Sequence, residues 1–189
     1  EEPSKIMSSG FKAVGDIVIL LGDNKCEVGG SEYLYLRSGR IAGDAPSLDL
    51  ETEKRLQDLC RALISEDLVS SAHDVSQGGL SVAICESVFG AQPGIGADIQ
   101  VDKGDSNRLD FQLFGESQSM IVISAHRGNV FRVLEQAKQR NIQAKEIGVV
   151  NDEDSIRIGS LINLRRVQAG RAYEGGIPDG IEELTGVEV

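Results

Sequence analysis

One short stretch, residues 71–79, holds the side chains best suited to chemistry, in the order SAHDVSQGG. Asp74 can ligate a hard cation, Ser76 can exchange hydrogen bonds, and the pair Gly78-Gly79 lets backbone N–H groups approach a ligand. A strand that turns through glycines into a helix also leaves the first N–H groups of that helix unpaired, at the positive end of its dipole. The stretch therefore predicts a phosphate-binding turn.

His73 permits another interpretation, a hydrolase triad with Ser71 and Asp74. In an extended segment Ser71 and His73 share one face while Asp74 points to the other, and working triads draw their members from separate segments. A histidine that is hydrogen-bonded within the turn is therefore favoured. Asp74 also has a structural alternative, because an aspartate side chain can close its own turn.

A second glycine pair, Gly29-Gly30, precedes Ser31-Glu32-Tyr33. By itself this pair favours a loop between strands, with the glycines supplying positive φ angles. A role of this pair in ligand binding would follow only if the fold brings the pair close to the first turn. Glu116, which follows Phe114-Gly115, indicates no more than a polar turn at the start of a strand.

The elements that must position these residues alternate along the chain. Apolar residues at helical spacing predict helices at 49–64, 80–90 and 129–140, with Asp49 as an N-cap and Gly90 as a left-handed C-cap. Short apolar runs predict strands at 16–21, 68–72, 97–101, 121–123, 147–150, 155–158 and 161–164. This alternation predicts an α/β domain in which helices flank a mixed sheet.

The composition excludes several classes of protein. A net charge of −11 over 189 residues, with no Trp, argues against a nucleic-acid partner, which needs a basic surface. No apolar run is long enough to span a bilayer, so we expect no membrane partner and a location in the cytoplasm. Three widely spaced cysteines, Cys26, Cys60 and Cys85, indicate reduced thiols, with a thiolate nucleophile as the less favoured alternative.

Three motifs stand in an order that resembles a known family: GGSEY at 29–33, HDVSQGGL at 73–80 and LFGES at 113–117. They are similar to motifs of phosphoribosylformylglycinamidine (FGAM) synthase, in the C-terminal, AIR-synthetase-like domain of its synthetase subunit. The resemblance divides the chain into a linker from an upstream domain (1–15), the AIR-synthetase-like domain (16–177) and a flexible tail (178–189). It also implies a two-layer α/β fold with a mixed sheet of about four strands.

The resemblance implies a ligase that uses ATP and Mg²⁺ in purine biosynthesis. Formylglycinamide ribonucleotide would be activated at its amide oxygen and converted to the amidine by ammonia from a glutaminase subunit or domain. Carried onto this sequence, the nucleotide-binding residues are Asp74, Ser76, Gly78 and Gly79, with Asp74 as the metal ligand. Gln77 departs from the family pattern, since an aspartate is more usual there.

No catalytic residue of the family has a counterpart in this sequence, so the resemblance implies a chain that is inactive without the remaining domains of the synthetase. Two other interpretations stay open. The domain could be purely structural, with both glycine turns serving packing. It could also belong to a small-molecule kinase of the same superfamily, such as thiamine-monophosphate kinase.

Overall fold

A seven-stranded mixed sheet forms the centre of the fold in the computed structural model, which describes residues 6–101 and 108–185, with backbone only from 177 onward. The strands are β1 (Ile17–Leu21), β2 (Ser71–Asp74), β3 (Gly96–Ile99), β4 (Ile121–Ala125), β5 (Ala144–Asn151), β6 (Ser155–Ile158) and β7 (Ile162–Arg165). Their order is β2-β4-β1-β5-β3-β6-β7, and β3–β6 is the parallel pair among antiparallel ones.

The apolar runs and the family resemblance predicted different numbers of strands. The apolar runs predicted all seven strands, with bounds that differ by a few residues from those observed. The sheet of about four strands that the resemblance implied is wrong. β5 pairs with β1 on one side and with β3 on the other, so the three C-terminal strands extend the same sheet.

Six α-helices accompany the sheet in the described residues: α1 (Glu32–Ser38), α2 (Leu50–Ser65), α3 (Gly79–Phe89), α4 (Leu109–Phe114), α5 (Val130–Gln139) and α6 (Arg166–Thr185). The predictions of α2, α3 and α5 are confirmed. None of the helices that the structure describes is both long and apolar enough to cross a membrane. The backbone of α6 runs through Thr185, and the flexibility of 178–189 stays a prediction.

Both faces of the sheet are covered. All five residues of β1 are buried, and they alternate between two apolar clusters. Val18 and Leu20 pack in the cluster that contains α3, while Ile17, Ile19 and Leu21 pack with α2 and α5. The predicted mixed sheet with flanking helices is confirmed. Because helices lie on both faces of the sheet, the domain has three layers and not the two that the resemblance implied.

The start of the described chain packs against the end of α3. Phe11 lies in the segment expected to be a linker, yet only 1% of it is exposed, and its N–H donates to the Ser87 carbonyl (2.9 Å). Gly90 ends α3 with φ −73°, so the predicted left-handed cap is wrong. A Cβ on Gly10 would lie 2.1 Å from the Gly90 oxygen, so the absence of a side chain permits this backbone contact.

Candidate functional site

The turn between β2 and α3 has the strand–glycine–helix form that its sequence predicted. Gly78 (φ +79°) and Gly79 (φ +68°) are both left-handed. A Cβ on Gly79 would lie 2.5 Å from the Gly115 carbonyl oxygen. The backbone conformation and the close approach both require glycine here, which makes this a tightly packed turn.

The four predicted binding residues differ in what they offer a ligand. The Asp74 side chain is 78% exposed, and Ser76 is also exposed. The Gly78 N–H donates to Glu116 Oε1 (2.9 Å), and the Gly79 N–H donates to the Ser76 carbonyl (3.1 Å). The turn therefore presents the oxygen atoms of Asp74 and Ser76 to solvent, while both glycine N–H groups bond within the protein.

The second glycine turn meets the first through a carboxylate. Glu116 Oε1 accepts the Glu32 N–H (3.1 Å) as well as that of Gly78. Residues 115–117, here termed the GES loop, bond to the same region, because the Glu116 N–H donates to the Glu27 carbonyl (2.8 Å) and Ser117 Oγ accepts the Glu27 N–H (3.2 Å). The sequence had shown no role for Glu116, and the structure places it between the two turns.

Residues 29–38 contain a helix where the sequence favoured a loop. Ser31 caps α1: its Oγ accepts the Leu34 N–H (3.2 Å) and donates to the Val28 carbonyl (2.6 Å). Gly39 ends the helix in the left-handed conformation (φ +69°). Ser before and Gly after a short run are the usual helix caps, so this signal was present in the sequence. No residue of α1 is buried.

Tyr33 attaches α1 to α4. Its ring stacks on Phe114 with centroids 5.3 Å apart, and its hydroxyl donates to Asp110 Oδ2 (2.6 Å). Arg108 donates to both oxygens of the same carboxylate (2.6 and 2.8 Å). The hydrogen bonds from Arg108 and then from Tyr33 hold the pKa of Asp110 well below its usual range, and the bond to Asp110 raises the pKa of Tyr33.

His73 is hydrogen-bonded, as favoured from the sequence, although it lies in β2 and not in the turn. Its Nδ1 is 2.7 Å from the Asp74 carbonyl oxygen, and its Nε2 is 3.2 Å from Glu86 Oε2. The buried Ser71 hydroxyl bonds instead to Ser124 Oγ (2.7 Å), which leaves the hydrolase triad without its nucleophile.

The donor set of the turn suits one hard cation bound jointly with a ligand. Within 6–101 and 108–176, no three His, Cys, Asp or Glu side chains come together as a metal centre. Asp74 supplies one exposed carboxylate and Ser76 one hydroxyl, and Mg²⁺ is commonly held by one or two carboxylates plus phosphate oxygens and water. These residues therefore fit Mg²⁺ that arrives with a phosphorylated ligand.

Two of the three cysteines, Cys60 and Cys85, are unsuited to thiolate chemistry. None of the three forms a disulfide, as predicted. Burial raises the pKa of Cys85 to about 11 and also raises that of Cys60. Since the thiolate is the reactive form, these two cysteines are poor nucleophiles at neutral pH.

Comparisons with known proteins place these motifs in a family. The family model described as AIR synthase related protein, C-terminal domain, matches residues 13–160. The synthase subunit PurL of Symbiobacterium thermophilum, a phosphoribosylformylglycinamidine synthase subunit, is 43% identical over 162 residues, which cover 85% of this chain and 21% of that protein. The chain thus spans about a fifth of the length of this curated relative.

Two solved structures share the fold. Thermotoga maritima PurL complexed with FGAR superposes with a TM-score of 0.76 at 18% identity, covering 88% of this chain and 30% of that one. The same protein complexed with ADP gives a TM-score of 0.72 at 18% identity, covering 88% and 27%.

Proposed function

The chain belongs to the family of AIR synthase related protein C-terminal domains, and we propose that it is the C-terminal domain of the synthetase subunit of FGAM synthase. The 43% identity to a synthase subunit supports this proposal, as do the three motifs that first suggested the resemblance. The proposal gives the chain a place in de novo purine biosynthesis.

The complete enzyme would convert an amide to an amidine. The amide oxygen of formylglycinamide ribonucleotide takes the terminal phosphoryl group of ATP, which releases ADP. Ammonia from glutamine then adds to the activated carbon, and phosphate leaves with the former amide oxygen. The chain's partners in this reaction are the remaining domains of the synthetase and the glutaminase that supplies ammonia.

This domain would supply one wall of a nucleotide site. Asp74 and Ser76 would hold Mg²⁺ bound to ATP or ADP, and the ion would neutralise charge on the phosphates. Gly78 and Gly79 support the wall by fixing the turn in its left-handed conformation. The observation that carries this proposal is a contrast within the turn. The oxygen atoms of Asp74 and Ser76 are exposed, whereas the backbone at Gly79 is tightly packed.

The simplest test titrates the chain with Mg-ADP and follows binding by calorimetry. We expect Asp74→Asn to weaken binding by about tenfold or more, because the substitution removes the carboxylate ligand. Asp152→Asn, at an exposed position in the β5–β6 turn, is the matched control and should leave binding unchanged. Binding that is equal in all three proteins would contradict a role for Asp74.

Absence of Mg-ADP binding by the wild-type chain would mean that this wall binds nucleotide only together with the upstream domain, or that the domain is structural. Asp74→Asn in the complete synthetase then separates the two, because a nucleotide role lowers the affinity for ATP or Mg²⁺, whereas a structural role lowers stability. The chain by itself should also form no amidine from ammonia and ATP, because the resemblance assigns the family's catalytic residues to other domains. Phosphorylation of thiamine monophosphate by this chain would instead favour the kinase alternative.

A further inference from the structure

The Glu116 carboxylate bridges the two glycine turns. Its Oε1 accepts from the N–H groups of Gly78 (2.9 Å) and Glu32 (3.1 Å), which lie 38 and 84 residues away in the sequence. Hydrogen bonds to an ionised carboxylate are stronger than neutral ones, and a negative charge beside the N-terminal end of α3 is favoured by the helix dipole. One carboxylate oxygen thus stabilises both turns at once.

The backbone around Glu116 is held on both sides, so the carboxylate has little freedom to move. On one side, the Glu116 N–H and the Ser117 hydroxyl bond to the backbone of Glu27. On the other, Gly79 packs so closely that a Cβ there would lie 2.5 Å from the Gly115 oxygen. The GES loop therefore lies between the two turns and carries Glu116 in a fixed place.

The position of α1 depends on few contacts. The helix buries no residue, and Leu36 is 79% exposed. Its side-chain anchors in the described structure are the Tyr33 contacts to Phe114 and Asp110 and the Glu116 bond to its first N–H. Because no residue of α1 is buried, loss of Glu116 should change the position of α1 more than loss of one hydrogen bond would change that of a buried helix.

We propose that Glu116 is a positioning residue that couples the Gly29-Gly30 turn to the Asp74–Gly79 turn and so holds both in one binding surface. The proposal rests on the proposed nucleotide role of Asp74 and Ser76. It also gives the Gly78 N–H a definite partner: the phosphates of a nucleotide meet this turn through the Asp74 and Ser76 oxygens and Mg²⁺, while Glu116 keeps the glycine N–H.

The test measures solvent exchange of the Glu32 and Gly78 amides by NMR in the ¹⁵N-labelled chain, together with the affinity for Mg-ADP. In Glu116→Ala we expect both amides to exchange about tenfold faster or more, and Mg-ADP to bind about tenfold more weakly. Glu53→Gln is the matched control, since Glu53 accepts hydrogen bonds from Ser119 and Gln57 and none from either turn. It should change neither measurement.

Each outcome decides the proposal. Unchanged exchange, or faster exchange at only one of the two amides, would overturn the coupling. Faster exchange at both amides with unchanged Mg-ADP affinity would overturn the positioning role. If the wild-type chain binds no Mg-ADP, this chain does not form the nucleotide site alone, and the two exchange rates still decide whether Glu116 couples the turns. Should Glu116→Ala fail to fold, Glu116→Gln keeps the side-chain shape, loses the charge, and should give smaller changes in the same directions.

Discussion

The two glycine turns share a glycine pair, but the helices that follow them differ in how deeply they are buried. Both place two glycines at or just before the start of a helix, yet α3 buries seven of its eleven residues and α1 buries none. Gly79 lies against the backbone of the GES loop, whereas a Cβ on the left-handed Gly30 would meet nothing within 4 Å. A glycine pair before a helix therefore identifies a turn, and the apolar content of the helix that follows decides whether the turn belongs to the core.

The difference also divides the candidate site into a rigid part and a weakly attached part. The turn that carries Asp74 and Ser76 is held by the core beneath α3. The turn that carries Glu32 packs on the backbone of residues 42–44, and the helix that follows it buries no residue. Stability measurements should report on the first turn, and local measurements should report on the second.

Alanine at Gly79 and at Gly30, one left-handed glycine from each turn, is the strongest test of this contrast. Gly79→Ala should lower the free energy of unfolding by about 3 kcal/mol, because a left-handed residue with a Cβ is strained and the added carbon contacts the Gly115 oxygen. Gly30→Ala should cost about 1 kcal/mol, from the backbone conformation alone. Urea unfolding of both variants measures the difference, and equal costs would break the comparison.

Substitution of helix caps tests the same contrast between buried and exposed elements, with smaller changes in the free energy of unfolding. Asp49 caps α2, which buries Leu56, Leu59 and Leu63, so Asp49→Ala should lower the free energy of global unfolding by about 1 kcal/mol. Ser31→Ala removes the corresponding cap from α1. Since α1 buries nothing, this variant should change global unfolding by less than about 0.5 kcal/mol and instead speed amide exchange in residues 32–38.

Chemical denaturation and amide exchange of the two cap variants give this comparison directly. A global loss for Ser31→Ala as large as that for Asp49→Ala would show that α1 is part of the cooperative core, which its exposure argues against.

The smallest effect should come from acid acting on the contact between α1 and α4. The pKa of Asp110 is lowered in the folded chain, so this carboxylate stabilises the fold above its unfolded value of about 3.9, and the contribution is lost as pH falls toward the folded pKa. As pH falls below the unfolded value and approaches the lowered folded pKa, the NMR signals of the Tyr33 and Phe114 rings should shift, because the hydroxyl loses its charged acceptor. Asp110→Asn should abolish that part of the pH dependence, and shifts that persist unchanged in this variant would assign them to other carboxyl groups.

Sequence reasoning succeeded where the pattern was long or chemically specific. The apolar spacing of α2, α3 and α5 predicted each of them, and the order SAHDVSQGG predicted the strand–turn–helix around Asp74. The apolar runs also predicted seven strands, while the number implied by family resemblance was wrong. Patterns in the residues of this chain were the better guide to its sheet.

Sequence reasoning failed for short elements and for contacts between residues that are distant in the sequence. α1 and α4 have seven and six residues, too few to establish a helical period, although Ser31 and Gly39 marked the ends of α1. Glu116 acts through two backbone N–H groups that belong to other elements, and no local pattern reports such a contact. Gly90 was assigned a left-handed conformation when its role is close packing against Gly10.

The place of β1 in the sheet has a consequence for how the chain folds as it is synthesised. Among the strands of this sheet β1 is synthesised first, but it pairs with β4 and β5, and Ile17 meets its partners only at Ala125 and Val149. At synthesis rates of about 5–20 residues per second, its first partner follows roughly 5–20 s later. Until then the five consecutive apolar residues of β1 have both edges unpaired, so this segment is open to aggregation and to chaperone binding during translation.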